Sequence, residues 1–133
     1  MMTQTTTVSI DHLYKAQFGE DRILWQVFRH TPGGYFIEVG AYDGVTLSNT
    51  YFLEQMGWCG LLVEPIEPLC QQAAGARLRS VVIHAACSKR GSTGTATFTV
   101  AQNVPVLSFL PTTVEPKDLG ERNIAAMKEL APR

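Results

Sequence analysis

The apolar residues Ile23, Leu24, Val27 and Phe28 recur at i, i+1, i+4 and i+5, one helical stripe within residues 17–30. Thr31-Pro32-Gly33-Gly34 ends that helix. The run from Tyr35 to Val39 is short and rich in aromatic and β-branched residues, which predicts a buried strand. A second helix carries Leu47, Tyr51, Phe52 and Met56; Thr46 or Ser48 can cap it, and Gly57 stops it. Residues 60–64 (GLLVE) read as a second buried strand closed by Pro65, residues 67–76 as a helix, and residues 80–86 (SVVIHAA) as a third apolar strand. Thr and apolar residues alternate from Thr95 to Val100, the pattern of a half-exposed strand. Residues 117–130 are expected to form a last helix, with Ile124, Met127 and Ala131 on one side.

Strand, helix, strand, helix, strand predicts an α/β fold, a parallel sheet with helices on its faces. Residues 1–13 are a polar, Thr-rich lead-in, expected to be flexible. Residues 14–133 make up one domain.

Composition narrows the class. With 133 residues and 45% hydrophobic content, the chain is long enough to bury roughly two thirds of its unfolded surface. Eleven Lys and Arg stand against twelve Asp and Glu, a net charge of −1, so neither nucleic acid nor an anionic membrane is an expected partner. No apolar run is long enough for a membrane span, and MMTQTTTVSI lacks the basic start and apolar core of a secretory signal. Cys59, Cys70 and Cys87 are odd in number and form no C-x-x-C pair, so neither a disulfide framework nor a metal site is expected. They read as small buried hydrophobes in a reducing, cytoplasmic setting.

The candidate chemistry lies at strand ends. In an open α/β sheet, ligands bind outside the carboxyl ends of the strands. EVGAYDG, residues 38–44, follows the first strand, and its glycines permit a tight turn and close approach of a ligand. The pattern differs from G-x-G-x-x-G, and an acid beside the turn disfavours a pyrophosphate while favouring a cationic sulfonium. Glu64 ends the second strand, twenty residues beyond Gly44 (64 − 44), where a carboxylate accepts hydrogen bonds from ribose hydroxyls. Ala85 and Ala86, at the end of the third strand, are small enough to flank an adenine ring.

Plainer readings stand beside these. Gly40 and Gly44 can be strand–helix punctuation, and Glu64 a surface carboxylate. Asp43 either braces its loop through an Asx-type bond or meets a ligand. His84 reads as a satisfied core histidine before it reads as a base, and His12 and His30 as surface residues.

The stretches QFGEDRIL (Gln17 to Leu24), FIEVGAYDGVTLSNTYFLEQMGWCGLLVEP (Phe36 to Pro65) and VVIHAACS followed by GTATFTV resemble the FkbM family of S-adenosylmethionine-dependent methyltransferases. The resemblance covers roughly residues 14–110. It implies a Rossmann-like class I methyltransferase fold and methyl transfer from S-adenosylmethionine to a hydroxyl oxygen of a sugar or a natural product. It also implies a cofactor site at Gln17, Asp21, Glu38, Gly40, Ala41, Tyr42, Asp43, Gly44, Ser48, Asn49, Glu64, Pro65, Ala85 and Ala86. Within that set, Glu38, Gly40 and Gly44 would cradle the methionine and ribose portion, and Glu64 the ribose hydroxyls. Ser48, Asn49 and Thr50 would stand near the methionine end, with the segment around Gln17, Gly19 and Asp21 folding over the cofactor.

The family's later acidic strand has no counterpart after Leu110, so the C-terminal strands and most of the acceptor pocket are expected to be missing. Asp21, Asp43 and His84 are the candidates for a base in an in-line displacement. The rival expectation is a catalytically inactive cofactor-binding remnant, or a module that self-associates through the open sheet edge left beside the first strand. A nicotinamide-dependent oxidoreductase would need the absent G-x-G-x-x-G turn.

Overall fold

The computed structural model describes residues 9–91, 93–98 and 100. The chain divides into two compact units, Met1–His84 and Ala85–Arg133. In the first, a 3-10 turn at Asp11–Leu13 precedes α1 (Glu20–Phe28), β1 (Tyr35–Val39), α2 (Tyr51–Gln55), β2 (Cys59–Glu64), α3 (Glu67–Ala76) and β3 (Val81–His84). β1 pairs in parallel with β2, and β2 with β3, so the sheet order is sequential and β1 lies at an edge among the described residues. Among the described residues this is a small α/β fold, a three-stranded parallel sheet with flanking helices.

Sequential parallel strands joined by right-handed crossovers carry their helices on one face. Side chains alternate between the faces of a strand, and Phe36, Leu62 and Val82 belong to the covered one. There Phe36 and Leu62 form a core with Ala41, Leu53 and Trp58, against which Leu24, Trp25 and Val82 pack. On the opposite face Tyr35, Ile37, Val39, Val81 and Ile83 are 38% to 64% exposed. The expectation of strands buried on both sides therefore holds for one face only of β1 and β3.

Three element boundaries differ from the sequence pattern for identifiable reasons. α1 starts at Glu20, after Gly19 takes a left-handed φ of 82°. Of its apolar stripe, Leu24 packs inward while Ile23 and Val27 face out, 61% and 64% exposed. α2 begins at Tyr51 rather than near Thr46, because Leu47 adopts a left-handed φ of 59° that no helix contains. The N-cap position falls to Thr50 without a side-chain cap bond, so neither Thr46 nor Ser48 caps the helix. Ser48 Oγ instead braces the turn before it, accepting from the Tyr51 amide at 3.0 Å and the Thr50 amide at 3.2 Å. β3 stops at His84, so Ala85 and Ala86 follow the strand instead of ending it.

In the second unit Thr95–Phe98 and Val100 carry no strand: their alternation supplies propensity, but a strand needs a ladder partner. The helix expected over residues 117–130 lies outside the described residues, and residues 1–8 of the expected lead-in do too. Among the described residues no helix is long and apolar enough to cross a membrane. Of the cysteines, Cys70 is buried, and burial pushes its thiol pKa up, while Cys59 and Cys87 are exposed, contrary to the buried reading.

Candidate functional site

The turn after β1 is held in an uncommon backbone state. Gly40 and Gly44 have φ of 76° and 81°, and between and after them Tyr42 and Leu47 take φ of 53° and 59°. A non-glycine residue pays for the left-handed region in steric crowding, so two in one loop persist only where the surroundings over-determine them. At Gly44 an added Cβ would also stand 2.9 Å from Ala73 Cα and from Arg77 Cγ, so α3 packs directly on this turn.

Two carboxylates fix the loop from the strand ends. Glu64, at the end of β2 and 4% exposed, accepts the Tyr42 amide at 2.7 Å through Oε2 and the Ile66 amide at 2.9 Å through Oε1. It therefore ties the first loop to the end of the second strand, and it is not the surface carboxylate of the plainer reading. Gly40 and Ala41 donate to the Val63 carbonyl at 2.8 and 3.1 Å, continuing the ladder into the turn. Glu38, near the end of β1, accepts from Thr50 Oγ1 at 2.5 Å and Ser48 Oγ at 3.0 Å with one oxygen, and from the Asn49 amide at 3.2 Å with the other.

The partner that sequence reasoning missed is Arg77. Fully buried just past α3, it donates through Nε to Glu54 at 2.9 Å and through Nη2 to Thr50 Oγ1 at 2.9 Å. Its Nη1 reaches the Gly44 carbonyl at 2.9 Å, Ser48 Oγ at 3.2 Å and Glu38 Oε2 at 3.4 Å. One guanidinium thus joins β1, the loop, α2 and α3. An arginine at the end of a helix reads in sequence as an ordinary dipole partner, and no spacing announces that it folds inward.

Glu54, on α2, also accepts from Ser80 Oγ at 2.5 Å and the Arg79 amide at 3.1 Å. Burial works against its charge, but bonds from Ser80, the Arg79 amide and Arg77 outweigh it and hold the carboxyl below the ordinary glutamate pKa. A depressed pKa contributes stability above the unfolded value and loses it as pH falls through the folded one. Urea midpoints should therefore fall below about pH 4.5, the ordinary glutamate value. The gap between the parent and Glu54→Gln should be widest at neutral pH and shrink on acidification; a gap constant from pH 7 to 3 would contradict this.

Of the three candidate bases, Asp21 and Asp43 are engaged by the chain itself. Asp21 is fully buried: Oδ2 accepts the Lys15 and Ala16 amides at 2.6 and 2.9 Å, and Oδ1 the Arg22 amide at 2.9 Å. It pins the N-terminal segment, where Ala16 bridges in parallel to Leu47 and Tyr14 stacks on Phe52 with centroids 4.0 Å apart. The segment around Gln17 is thus anchored to the loop, while the Gln17 side chain itself is exposed.

Asp43 braces its own turn, its oxygens accepting the Val45 and Thr46 amides and Thr46 Oγ1 at 2.9, 2.7 and 2.6 Å. Burial raises its pKa, and the Thr46 hydroxyl and loop amides more than reverse that, keeping it ionised and weakly basic. His84 is exposed, not core, with Nε2 2.9 Å from the Pro65 carbonyl. His12 and His30 are exposed, as expected.

The structure brings Glu38, Gly40, Ala41, Tyr42, Asp43, Gly44, Ser48, Asn49, Glu64 and Pro65 together at the carboxyl ends of β1 and β2. Asn49 and Gly40 are exposed there. Ala85 and Ala86 belong to the second unit, half-buried and exposed respectively. Among the described residues no cluster of three His, Cys, Asp or Glu could hold a metal ion. No protein-family model matches this chain, and searches of curated proteins and of solved structures found no match either.

Proposed function

We propose that this chain binds S-adenosylmethionine at the carboxyl ends of β1 and β2, in a Rossmann-like class I methyltransferase arrangement, and serves methyl transfer to a hydroxyl of a saccharide or natural product. The observation that carries the reading is Glu64, which sits at the end of β2 and holds the left-handed turn by the Tyr42 amide at 2.7 Å. Each of its oxygens accepts one bond from the chain. A carboxylate has about four acceptor positions, so capacity remains for vicinal ribose hydroxyls. Charge fits a sulfonium better than a pyrophosphate: Glu38 and Glu54 against Arg77 leave one excess negative charge beneath the turn, and Asp43 and Glu64 add to it. Gly40, exposed and without neighbours around an added Cβ, leaves open space where the methionine portion would lie.

The cofactor would supply the electrophilic methyl group. The chain's own part is positioning: the Arg77 network fixes the loop, Glu64 orients the ribose, and Asn49 and Gly40 face the open side. A second reading is favoured by Asp21, which is buried among backbone amides, and by Asp43, which its own loop holds weakly basic. That leaves the exposed His84, through Nδ1, as the one candidate able to take a proton. On that reading the chain is a cofactor-binding module without transfer activity of its own.

Isothermal titration with S-adenosylmethionine and S-adenosylhomocysteine should give a Kd in the micromolar range, weakened at least about tenfold in Glu64→Gln. Thermal melts of the variant separate lost contacts from lost folding. No heat at about 1 mM ligand with a folded parent would sink the cofactor reading. Binding without transfer to any hydroxyl acceptor would select the second one.

A further inference from the structure

We infer that two copies of this chain associate through β1, edge to edge and antiparallel, to make one continuous six-stranded sheet. A groove of about 780 Å³ runs along β1. Residues 34–40 line it without a gap, with Leu24, Phe28, Leu47 and Leu53 on its flanks. A groove that follows one strand for its full length has the shape of a missing neighbour strand.

The backbone is set for pairing. Gly40 donates to the Val63 carbonyl at 2.8 Å, and the Gly34 carbonyl accepts from Cys59 at 3.2 Å, so even-numbered residues of this strand face β2. Tyr35, Ile37 and Val39 then turn their N–H and C=O groups outward, where β1 has no partner among the described residues. An unpaired row of this kind is a template for another strand.

The sequence of the strand makes a second copy the fitting occupant. On a two-fold axis through Ile37, Ile37 meets its own counterpart, and Tyr35 of each copy comes opposite Val39 of the other. All three are then residue pairs that exchange N–H···O=C bonds, and aromatic with β-branched is a favourable cross-strand combination. Natural edges are guarded by an outward charge or a proline, and β1 has neither. Its one charged residue, Glu38, is turned to the other face and tied to Ser48, Thr50 and Arg77, so two strands meet without repulsion. A net charge of −1 adds no barrier between copies.

Tyr35, Ile37 and Val39, on the open face, are 60% to 64% exposed, and Phe28 and Leu47, which line the groove, are each 39% exposed. Pairing of one five-residue strand buries well below the roughly 800 Å² per side of a standard interface, so the dimer is weak, with a Kd on the order of 10–100 µM.

Sedimentation velocity of the full chain from about 2 to about 300 µM should show a monomer–dimer equilibrium in that range. Ile37→Lys places two ammonium groups on the axis at an exposed position; it should raise Kd at least about tenfold and leave the urea midpoint unchanged. Amide exchange distinguishes other occupants, because the Tyr35, Ile37 and Val39 amides gain protection only as concentration rises. A monomer at all concentrations with those amides protected would overturn the inference in favour of a cover within the chain. A monomer with them unprotected would overturn it in favour of an open edge, and a dimer insensitive to Ile37→Lys in favour of another surface.

Discussion

Arg77→Ala destabilises the first unit by about 3–5 kcal/mol, the loss expected when one partner of a buried ion network is removed and the others stay behind. The side chain is fully buried, and its removal strands Glu54, itself 2% exposed, and Glu38, whose side chain is 12% exposed. It also withdraws the donors that hold the Gly44 carbonyl and the Ser48 and Thr50 hydroxyls. A domain of this kind has about 5–15 kcal/mol in total, so the variant stands near the limit of folding. Arg77→Lys keeps the charge but replaces a five-donor fork by a point charge, and should recover about half of the loss. Urea midpoints of the three proteins test this. A parent-like midpoint for Arg77→Ala would show that water compensates the two carboxylates and that the network does not hold the fold.

The second large effect is Gly60→Ala, at about 3 kcal/mol or more, above the usual cost of one added methyl because the obstacle includes backbone. Gly60 lies opposite Phe36 in the β1–β2 register. A Cβ there would overlap the Phe36 ring and stand 2.5 Å from the Phe36 carbonyl oxygen. The ring can be exchanged for a smaller group, but the carbonyl cannot retreat without parting the two strands. Phe36→Leu combined with Gly60→Ala should therefore recover only part of the loss in a double-mutant cycle. Full recovery would place the whole conflict in the ring.

Short-range order was legible and long-range pairing was not. β1 at Tyr35–Val39 and α3 at Glu67–Ala76 have the residues their patterns predict, because a compact apolar run and a proline in the first helical turn are local signals. The acidic strand ends were legible as places, and Glu64 does hold the turn. Their partners were not: Glu38 meets Arg77 across 39 residues of sequence, and no periodicity encodes such a meeting. The late start of α2 escaped for a related reason. Leu47 is a helix former by propensity, and its left-handed φ follows from the loop around it. Asp21 likewise is expected over a cofactor or as a base, yet it faces back onto the Lys15 and Ala16 amides.

The sequential order of the strands has a consequence for synthesis on the ribosome. Each strand pairs with the one made just before it, so the sheet can be assembled in the order of its emergence, without waiting for a distant strand. The ionic lock obeys a different clock. Glu38 and Glu54 leave the exit tunnel before Arg77 does, and until the end of α3 is exposed they remain two hydrated carboxylates beside an unclosed turn. At roughly 5–20 residues per second the interval is a matter of seconds. Arrival of Arg77 is then the event that converts a nascent β-α-β stretch into a unit with its loop in place.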